Sequence, residues 1–277
     1  MQEFIITFRE TFEVALIAGI VLSFLKRTNQ ARHNIIVYTG IGLAVAVSIA
    51  LALIINQVAG GFTGATEEVF EGVMMYLSVI FLSFMILWTI KHKHAVKEIE
   101  KQVASDLDTG YKTGLFLLIF VAVLREGIET VLFLRSIIVA YDTSVMLFSL
   151  LGIVTAIGIA WGLFKGMVRF NMKKFFNITS TLLILFAAGL LAHGTHELQE
   201  AKVLPTVVEH LWDINPESDT NPLHEKGYVG SVFKSLFGYN GNPSLIEVVS
   251  YLLFLMITLG WWRNFEKQQS LKARLAD

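Results

Sequence analysis

Two copies of a short charged motif lie inside apolar stretches of this chain, and their residue types suit metal binding. Residues 9–13 read Arg-Glu-Thr-Phe-Glu within the apolar run 4–25, and residues 125–129 read Arg-Glu-Gly-Ile-Glu within the run 111–140. In a helix, positions three and four apart share a face, so each motif presents its arginine and both glutamates together. Carboxylate oxygens are the ligands that hard cations prefer. The candidate metal ligands are Glu10, Glu13, Glu126 and Glu129, with Arg9 and Arg125 as supporting charges.

The charge balance of the paired motifs favours a multivalent cation. A charged group at membrane depth costs roughly 2.5–3.5 kcal/mol on insertion scales, so such groups are kept where they pair or handle ions. Four carboxylates and two guanidinium groups leave a local charge of −2, which one di- or trivalent ion would largely balance. The arginines would hold the carboxylates in place when the ion is absent. The alternative is a purely structural role, in which Arg–Glu bridges join two buried helices.

The composition is that of a helical membrane protein. Of 277 residues, 54% are hydrophobic and only 16% are charged, which is less charge than a soluble domain carries. Apolar runs of about 20 residues recur, long enough to cross a hydrocarbon core about 30 Å thick. The chain contains no cysteine, which excludes disulfides and thiolate metal sites.

We predict an all-α integral membrane protein with seven transmembrane helices, arranged as a 3+3 inverted repeat plus one C-terminal helix. The motifs fall in the first and fourth spans, which would run in opposite directions through the membrane. The predicted spans are about 4–25, 35–58, 69–90, 113–140, 145–165, 178–200 and 245–263. One transmembrane domain would cover 1–277: repeat 1 at about 1–92, repeat 2 at about 111–201, an outer loop at 202–243, helix seven at 244–264 and a cytoplasmic tail at 265–277.

The distribution of basic residues predicts the orientation. Lysines and arginines cluster after spans 1, 3, 5 and 7, whereas the opposite side carries only Lys202, Lys226 and Lys234, all in one loop. By the positive-inside rule, the N-terminus is outside and the C-terminus is cytoplasmic, in the cell membrane. In the outer loop, apolar residues at helical spacing predict two short amphipathic helices, at 207–212 and 229–236.

A second group of polar residues lies at the predicted outer ends of spans 3 and 6. We interpret it as an access path for cations, with Glu71 and Glu200 as further metal ligands and with Glu67, Glu68 and His196 as access residues. Helix-dipole stabilisation explains Glu67 and Glu68 equally well. His196 and Glu200 also resemble part of a zinc-hydrolase helix, although a glutamate stands where the second histidine belongs. Ser244 and Glu247 form a capping box that opens span 7, and we assign them no transport role.

These motifs resemble the high-affinity iron permease family, the oxidase-dependent iron transporters of fungi and bacteria, and among them the permeases of bacterial elemental-iron uptake systems. The doubled motif carries the resemblance, together with residues 70–72 (Phe-Glu-Gly) and 26–28 (Lys-Arg-Thr). The chain departs from the family at Thr11, where glycine is usual, and at Gln199, where bacterial relatives have histidine.

The resemblance implies an iron importer and not an enzyme, with the paired glutamates as ligands, iron as the transported substrate and no tightly bound cofactor. It also implies an extracytoplasmic partner that oxidises or binds iron; a homo-oligomer is compatible with the sequence, and no nucleic acid is expected. The alternatives are transport of another divalent metal such as lead, transport of an organic anion held by Arg9 and Arg125, an intramembrane metallohydrolase using His196 and Glu200, or a scaffold without transport.

Overall fold

The computed structural model describes residues 2–91, 112–141, 146–166, 172–216, 221–222, 224 and 228–274. Regular structure in these residues is helical, and a single 3-10 turn at Ala31–His33 precedes the second helix. The helices are α1 (Gln2–Arg27), α2 (Asn34–Ala59), α3 (Ala65–Lys91), α4 (Lys112–Tyr141), α5 (Met146–Phe164), α6 (Met172–Glu200), α7 (Tyr228–Phe237) and α8 (Leu245–Arg274).

The seven long helices coincide with the seven predicted spans, and the all-α fold class is confirmed. Five of them, α2, α3, α5, α6 and α8, contain segments long and apolar enough to cross a membrane. The other two long helices, α1 and α4, carry the charged motifs. The last helix continues to Arg274, well past the predicted end of span 7.

The chain divides into two compact units, and the first contains α1, α2, α4 and α5. In this unit α1 packs against both α4 and α5, and α2 packs against α4. One apolar cluster joins α1, α2 and α4 through residues such as Val21, Ala44 and Ile119. A second cluster joins α1 to α5 through Phe8, Phe12, Ala156 and Ala160. The helices that carry the motifs are therefore the central packing elements of this unit.

Small residues let the helices of the first unit approach closely. A Cβ atom on Gly127 would overlap the hydroxyl of Ser48, so α4 touches α2 directly beside the second motif. A Cβ atom on Gly152 would overlap the Thr7 hydroxyl, whose oxygen lies 2.7 Å from the carbonyl oxygen of Glu3 and 3.1 Å from that of Ser149. These close approaches fix both motif-bearing helices at short range.

The second unit contains Thr63–Ile86, which includes most of α3, and Ser180–Asp277. Here α3 meets α6 closely, because a Cβ on Gly72 would lie 3.1 Å from the carbonyl oxygen of Gly194. Tyr76 Oη and Thr195 Oγ1 share a hydrogen bond of 2.9 Å one turn further along. The C-terminal part of α6 is thus held against α3 within this unit.

The outer loop differs from the prediction in its first half. Residues 201–216 contain no helix, so the prediction of an amphipathic helix at 207–212 is wrong. The backbone instead pairs with the segment before α8: Leu211 N donates to Pro243 O and Ile214 N to Gly241 O, both at 2.9 Å. These long-range bonds use amide groups that a helix would need for its own carbonyl ladder. The second predicted helix is confirmed as α7.

Candidate metal site

In the first motif, a buried arginine holds both glutamates of its own helix. Arg9 Nη1 lies 3.1 Å from Glu10 Oε1, and Arg9 Nη2 lies 2.8 Å from Glu13 Oε1. The Arg9 side chain is 0% exposed and that of Glu10 is 2% exposed. The i,i+1 and i,i+4 spacings predicted from the sequence therefore produce the paired arrangement within α1.

The second motif repeats this arrangement in a more open setting. Arg125 Nε lies 2.8 Å from Glu129 Oε1 and donates a hydrogen bond to it. The same nitrogen lies 3.7 Å from Glu126 Oε1. The Arg125 side chain is 32% exposed, whereas both of its glutamate partners are buried. The two arginines are thus equivalent in sequence but differ in their access to the surroundings.

The two motifs meet in the interior of the first unit. Glu10, Glu13 and Glu126 each offer one carboxylate oxygen, and these three oxygens lie within 4.8 Å of one another. Oxygens bound to one cation at 2.0–2.6 Å can be up to about 4–5 Å apart. A single ion can therefore contact all three carboxylates with little movement of the helices.

Several of these carboxylate oxygens have no hydrogen-bond partner among the described residues. They are Glu10 Oε2, Glu126 Oε2 and Glu129 Oε2, all of them buried. Each arginine reaches the other oxygen of these groups, so the open oxygens are the ones left over after ion pairing. A buried carboxylate oxygen without a partner is costly, and a cation would remove that cost.

Glu129, the fourth predicted ligand, is outside the group of three. Its Oε1 is taken by Arg125, although its Oε2 stays open. The structure therefore brings three of the four glutamates of the paired motifs together and leaves the fourth as a neighbour held by arginine.

The remaining predicted site residues lie in the second unit. Glu67 and Glu68 are in the first turn of α3, and Glu71 follows one turn later in the same helix. On α6, His196 Nε2 lies 3.2 Å from Glu200 Oε1. Within the described part of this unit, no three metal-ligating side chains converge as they do in the first. The metallohydrolase interpretation of His196 and Glu200 accordingly lacks a third ligand there.

One contact of the second unit could not be predicted from the sequence. The capping box is present, because Ser244 N donates to Glu247 Oε1 (3.1 Å) and Glu247 N donates to Ser244 Oγ (3.3 Å). Glu247 Oε1 also lies 3.0 Å from His196 Nδ1, which is 51 positions away in the chain. At the level of sequence, the capping box alone accounts for Glu247. No pattern near Glu247 indicates that it also contacts His196.

Gln199, which stands where the family resemblance implied a histidine, has a structural role. Its Nε2 donates to the carbonyl oxygen of Pro205 (3.1 Å), and its Oε1 accepts from Ser244 Oγ (2.8 Å). The buried amide therefore links the end of α6 to the outer loop and to the start of α8.

Comparison with known proteins supplies the family. The model of the iron permease FTR1 family matches residues 1–262. A relative from Archaeoglobus fulgidus, named only as an uncharacterized protein, is 34% identical over 94% of this chain and 93% of its own. The ferrous iron permease EfeU of Escherichia coli O6:K15:H31 (strain 536) is 33% identical over 92% of each chain.

A further relative, from Escherichia coli K12, is 32% identical over 92% of each chain, and its name describes an EfeU permease as inactive. Family membership alone therefore does not establish transport by any one member. No solved structure matches the chain. Its five strongly apolar helices and its permease relatives make it a multi-pass membrane protein. The match over nearly its whole length shows that the chain belongs to the iron permease FTR1 family.

Proposed function

We propose that this protein transports iron across a cell membrane and binds the ion with Glu10, Glu13 and Glu126. The observation that carries the proposal is the convergence of these three carboxylates within 4.8 Å, in a permease-family chain. Two of them have a buried oxygen without a hydrogen-bond partner among the described residues. Glu129 Oε2 likewise has no hydrogen-bond partner among the described residues. Glu129 binds the ion either as a fourth ligand or transiently, while the ion moves through the site.

The charges of the site suit a hard multivalent ion. Two arginines offset two of the four negative charges and leave a net charge of −2, which an iron ion balances. Carboxylate oxygens suit hard cations, whereas soft ions prefer thiolates, which this chain lacks. Arg9 and Arg125 keep the carboxylates in position between transport events. Transport, and not an enzymatic reaction, is the function of the family.

Movement of the ion would use the two halves of the chain as an inverted repeat. The packing of α1 on α5 and of α2 on α4 supports this proposal, because the first helix of each half packs on the second helix of the other. Transporters built in this way hold their substrate near the midplane and rock the repeats around it. An inward step for a cation gains about 2.3 kcal/mol per charge for each 100 mV of membrane potential.

The ion would reach the site from outside through the carboxylates of the second unit. Glu67, Glu68 and Glu71 on α3, with His196 and Glu200 on α6, are the proposed path. An extracytoplasmic protein that binds or oxidises iron would deliver the ion there, and the cell membrane is the proposed location.

Uptake of radioactive iron into liposomes tests the proposal. The purified chain should accumulate iron under an inside-negative potential, and Glu13→Gln or Glu126→Gln should abolish most of that uptake. Each oxidation state of iron is supplied separately, with lead and a small organic anion as competitors. Competition by lead would broaden the substrate to other divalent metals, and competition by the anion alone would contradict the carboxylate site. Absence of uptake by the wild-type chain would leave only a scaffold role.

A further inference from the structure

A buried carboxylate in the second unit contacts a histidine of the proposed access path. Glu247 is 2% exposed, and its Oε1 lies 3.0 Å from His196 Nδ1. Its Oε1 also accepts from Ser244 N, and its Oε2 accepts from Asn240 Nδ2 at 2.9 Å. Both oxygens of Glu247 are therefore occupied by protein groups, which makes this residue a support for His196 and not itself a metal ligand.

The contact determines which nitrogen of His196 can bind a cation. An ionised carboxylate only accepts hydrogen bonds, so Nδ1 of the ring must carry the hydrogen that faces Glu247. In the neutral ring, Nε2 then keeps its lone pair. That lone pair faces Glu200 Oε1 at 3.2 Å, a second acceptor. Two acceptors at this distance repel each other unless a proton or a metal ion lies between them, so a metal ion that binds here replaces the proton of the charged ring.

The distance between these two acceptors fits a shared metal ion. Ligand bonds of about 2.1 Å to nitrogen and to oxygen place the two donor atoms about 3.2 Å apart when the angle at the metal is about 100°. The Glu200 side chain is 55% exposed, so an ion can reach the pair directly. Metal-binding histidines commonly donate their other ring nitrogen to a carboxylate, which is the position that Glu247 holds.

We propose that Glu247 is a positioning residue that orients His196, so that His196 Nε2 and Glu200 Oε1 together capture the incoming iron ion. This inference rests on the proposed function and adds to it a residue of the last helix. The Glu247 carboxylate is itself fixed by Asn240 Nδ2 and by the backbone amide of Ser244, both of which Ser244→Ala keeps, so the start of α8 sets the direction of the ring.

Initial rates of iron uptake into liposomes, measured over a range of outside iron concentrations, test the role of Glu247. Glu247→Gln is the informative variant, because glutamine preserves a capping box but removes the charge that polarises the ring. Loss of such a carboxylate support typically weakens metal binding or activity by about 10–100-fold. We expect KM to rise about tenfold while the maximal rate stays within twofold of wild type.

Two further variants separate positioning from folding. Ser244→Ala removes the serine half of the capping box and leaves the contact between Glu247 and His196 in place, so its KM should match wild type. His196→Gln should raise KM at least as much as Glu247→Gln does, and adding Glu247→Gln to it should cause no further rise. KM does not depend on the amount of protein that folds, so poor insertion of a variant leaves this comparison intact.

Three results would overturn the proposal. The first is an unchanged KM in Glu247→Gln. That result would mean that His196 and Glu200 share only a proton and that they bind no incoming iron ion. The second is a rise of equal size in Ser244→Ala, which would assign the effect to capping. The third is a further rise in the double variant, which would show that Glu247 does not act through His196. All three are read against a wild type that transports iron, so they are distinct from failure of transport itself.

Discussion

At the scale of single residues, Arg9 and Arg125 have the same place in their motifs but different surroundings. Arg9 is fully buried and binds both of its glutamates through separate nitrogens, whereas Arg125 is partly exposed. The spacing within each motif was enough to predict these intrahelical pairs. The exclusion of Glu129 from the group of three was not predictable, since it depends on how α1 and α4 meet. The contact of Glu247 with His196 was not predictable either, because it depends on how α6 and α8 pack together.

The difference in burial predicts unequal costs of removing the two arginines. Arg9→Gln leaves the buried Glu10 and the partly buried Glu13 without their cation, and breaking a buried ion pair in this way typically costs about 3–5 kcal/mol. Arg125→Gln should cost clearly less, because the surroundings of Arg125 are more open. Thermal unfolding in detergent micelles checks this, with a larger drop in midpoint for Arg9→Gln. Equal drops would mean that the two motifs are equally buried.

The glutamates should also differ in their contribution to iron binding. Glu126 belongs to the converging group, whereas one oxygen of Glu129 is held by Arg125. A charged contact is worth about 1.5–3 kcal/mol, which corresponds to roughly 10–100-fold in affinity. Iron titration of the purified chain should show a loss in this range for Glu126→Gln and a smaller loss for Glu129→Gln. A larger loss in Glu129→Gln would place the ion on the other side of Arg125.

At the scale of helices, apolar run length predicted the positions of all seven long elements, because a membrane span has a nearly fixed length. Helical spacing of apolar residues, by contrast, wrongly predicted a helix at 207–212. Helical spacing of Val207, Leu211 and Trp212 was present, but the amides of this segment bond to the stretch before α8. Such long-range pairing leaves no periodic signal in the sequence. The contact of Gly127 with Ser48 was likewise invisible before the two helices were seen together.

This helix contact predicts that the two motifs cannot exchange their third residue. Gly127→Thr would force α4 away from α2, because even a Cβ atom overlaps the Ser48 hydroxyl. Thr11→Gly is the matched change in the first motif. It should be tolerated, because glycine lowers the stability of α1 by only about a few tenths of a kcal/mol relative to threonine. Uptake per reconstituted molecule should fall strongly in Gly127→Thr only.

A second change checks the cause of the Gly127 effect. Gly127→Ala alone should reduce uptake, and Ser48→Gly should restore part of it by opening the space that the new methyl group needs. If Gly127→Ala transports as well as wild type, the contact between α2 and α4 does not position the second motif.

At the scale of the whole molecule, the proposed topology rests on the charge of the connections and on the proposed inverted repeat. The natural chain contains no cysteine, so single cysteines can be introduced without removing any. Ala31, Met146 and Val207 are exposed, and they lie respectively in the turn between α1 and α2, at the first residue of α5 and in the segment between α6 and α7. A membrane-impermeant maleimide applied from outside should label Met146→Cys and Val207→Cys but not Ala31→Cys. Labelling of Ala31→Cys and Met146→Cys from the same side would contradict the inverted repeat.

The proposed transport function depends most on where the iron ion binds. Anomalous X-ray scattering at the iron absorption edge, from crystals of the full chain grown with iron, locates the ion directly. The predicted result is a peak about 2.0–2.3 Å from carboxylate oxygens of Glu10, Glu13 and Glu126, and its loss in Glu126→Gln. An iron peak elsewhere in the first unit, with these three carboxylates bound only to protein groups, would contradict the account.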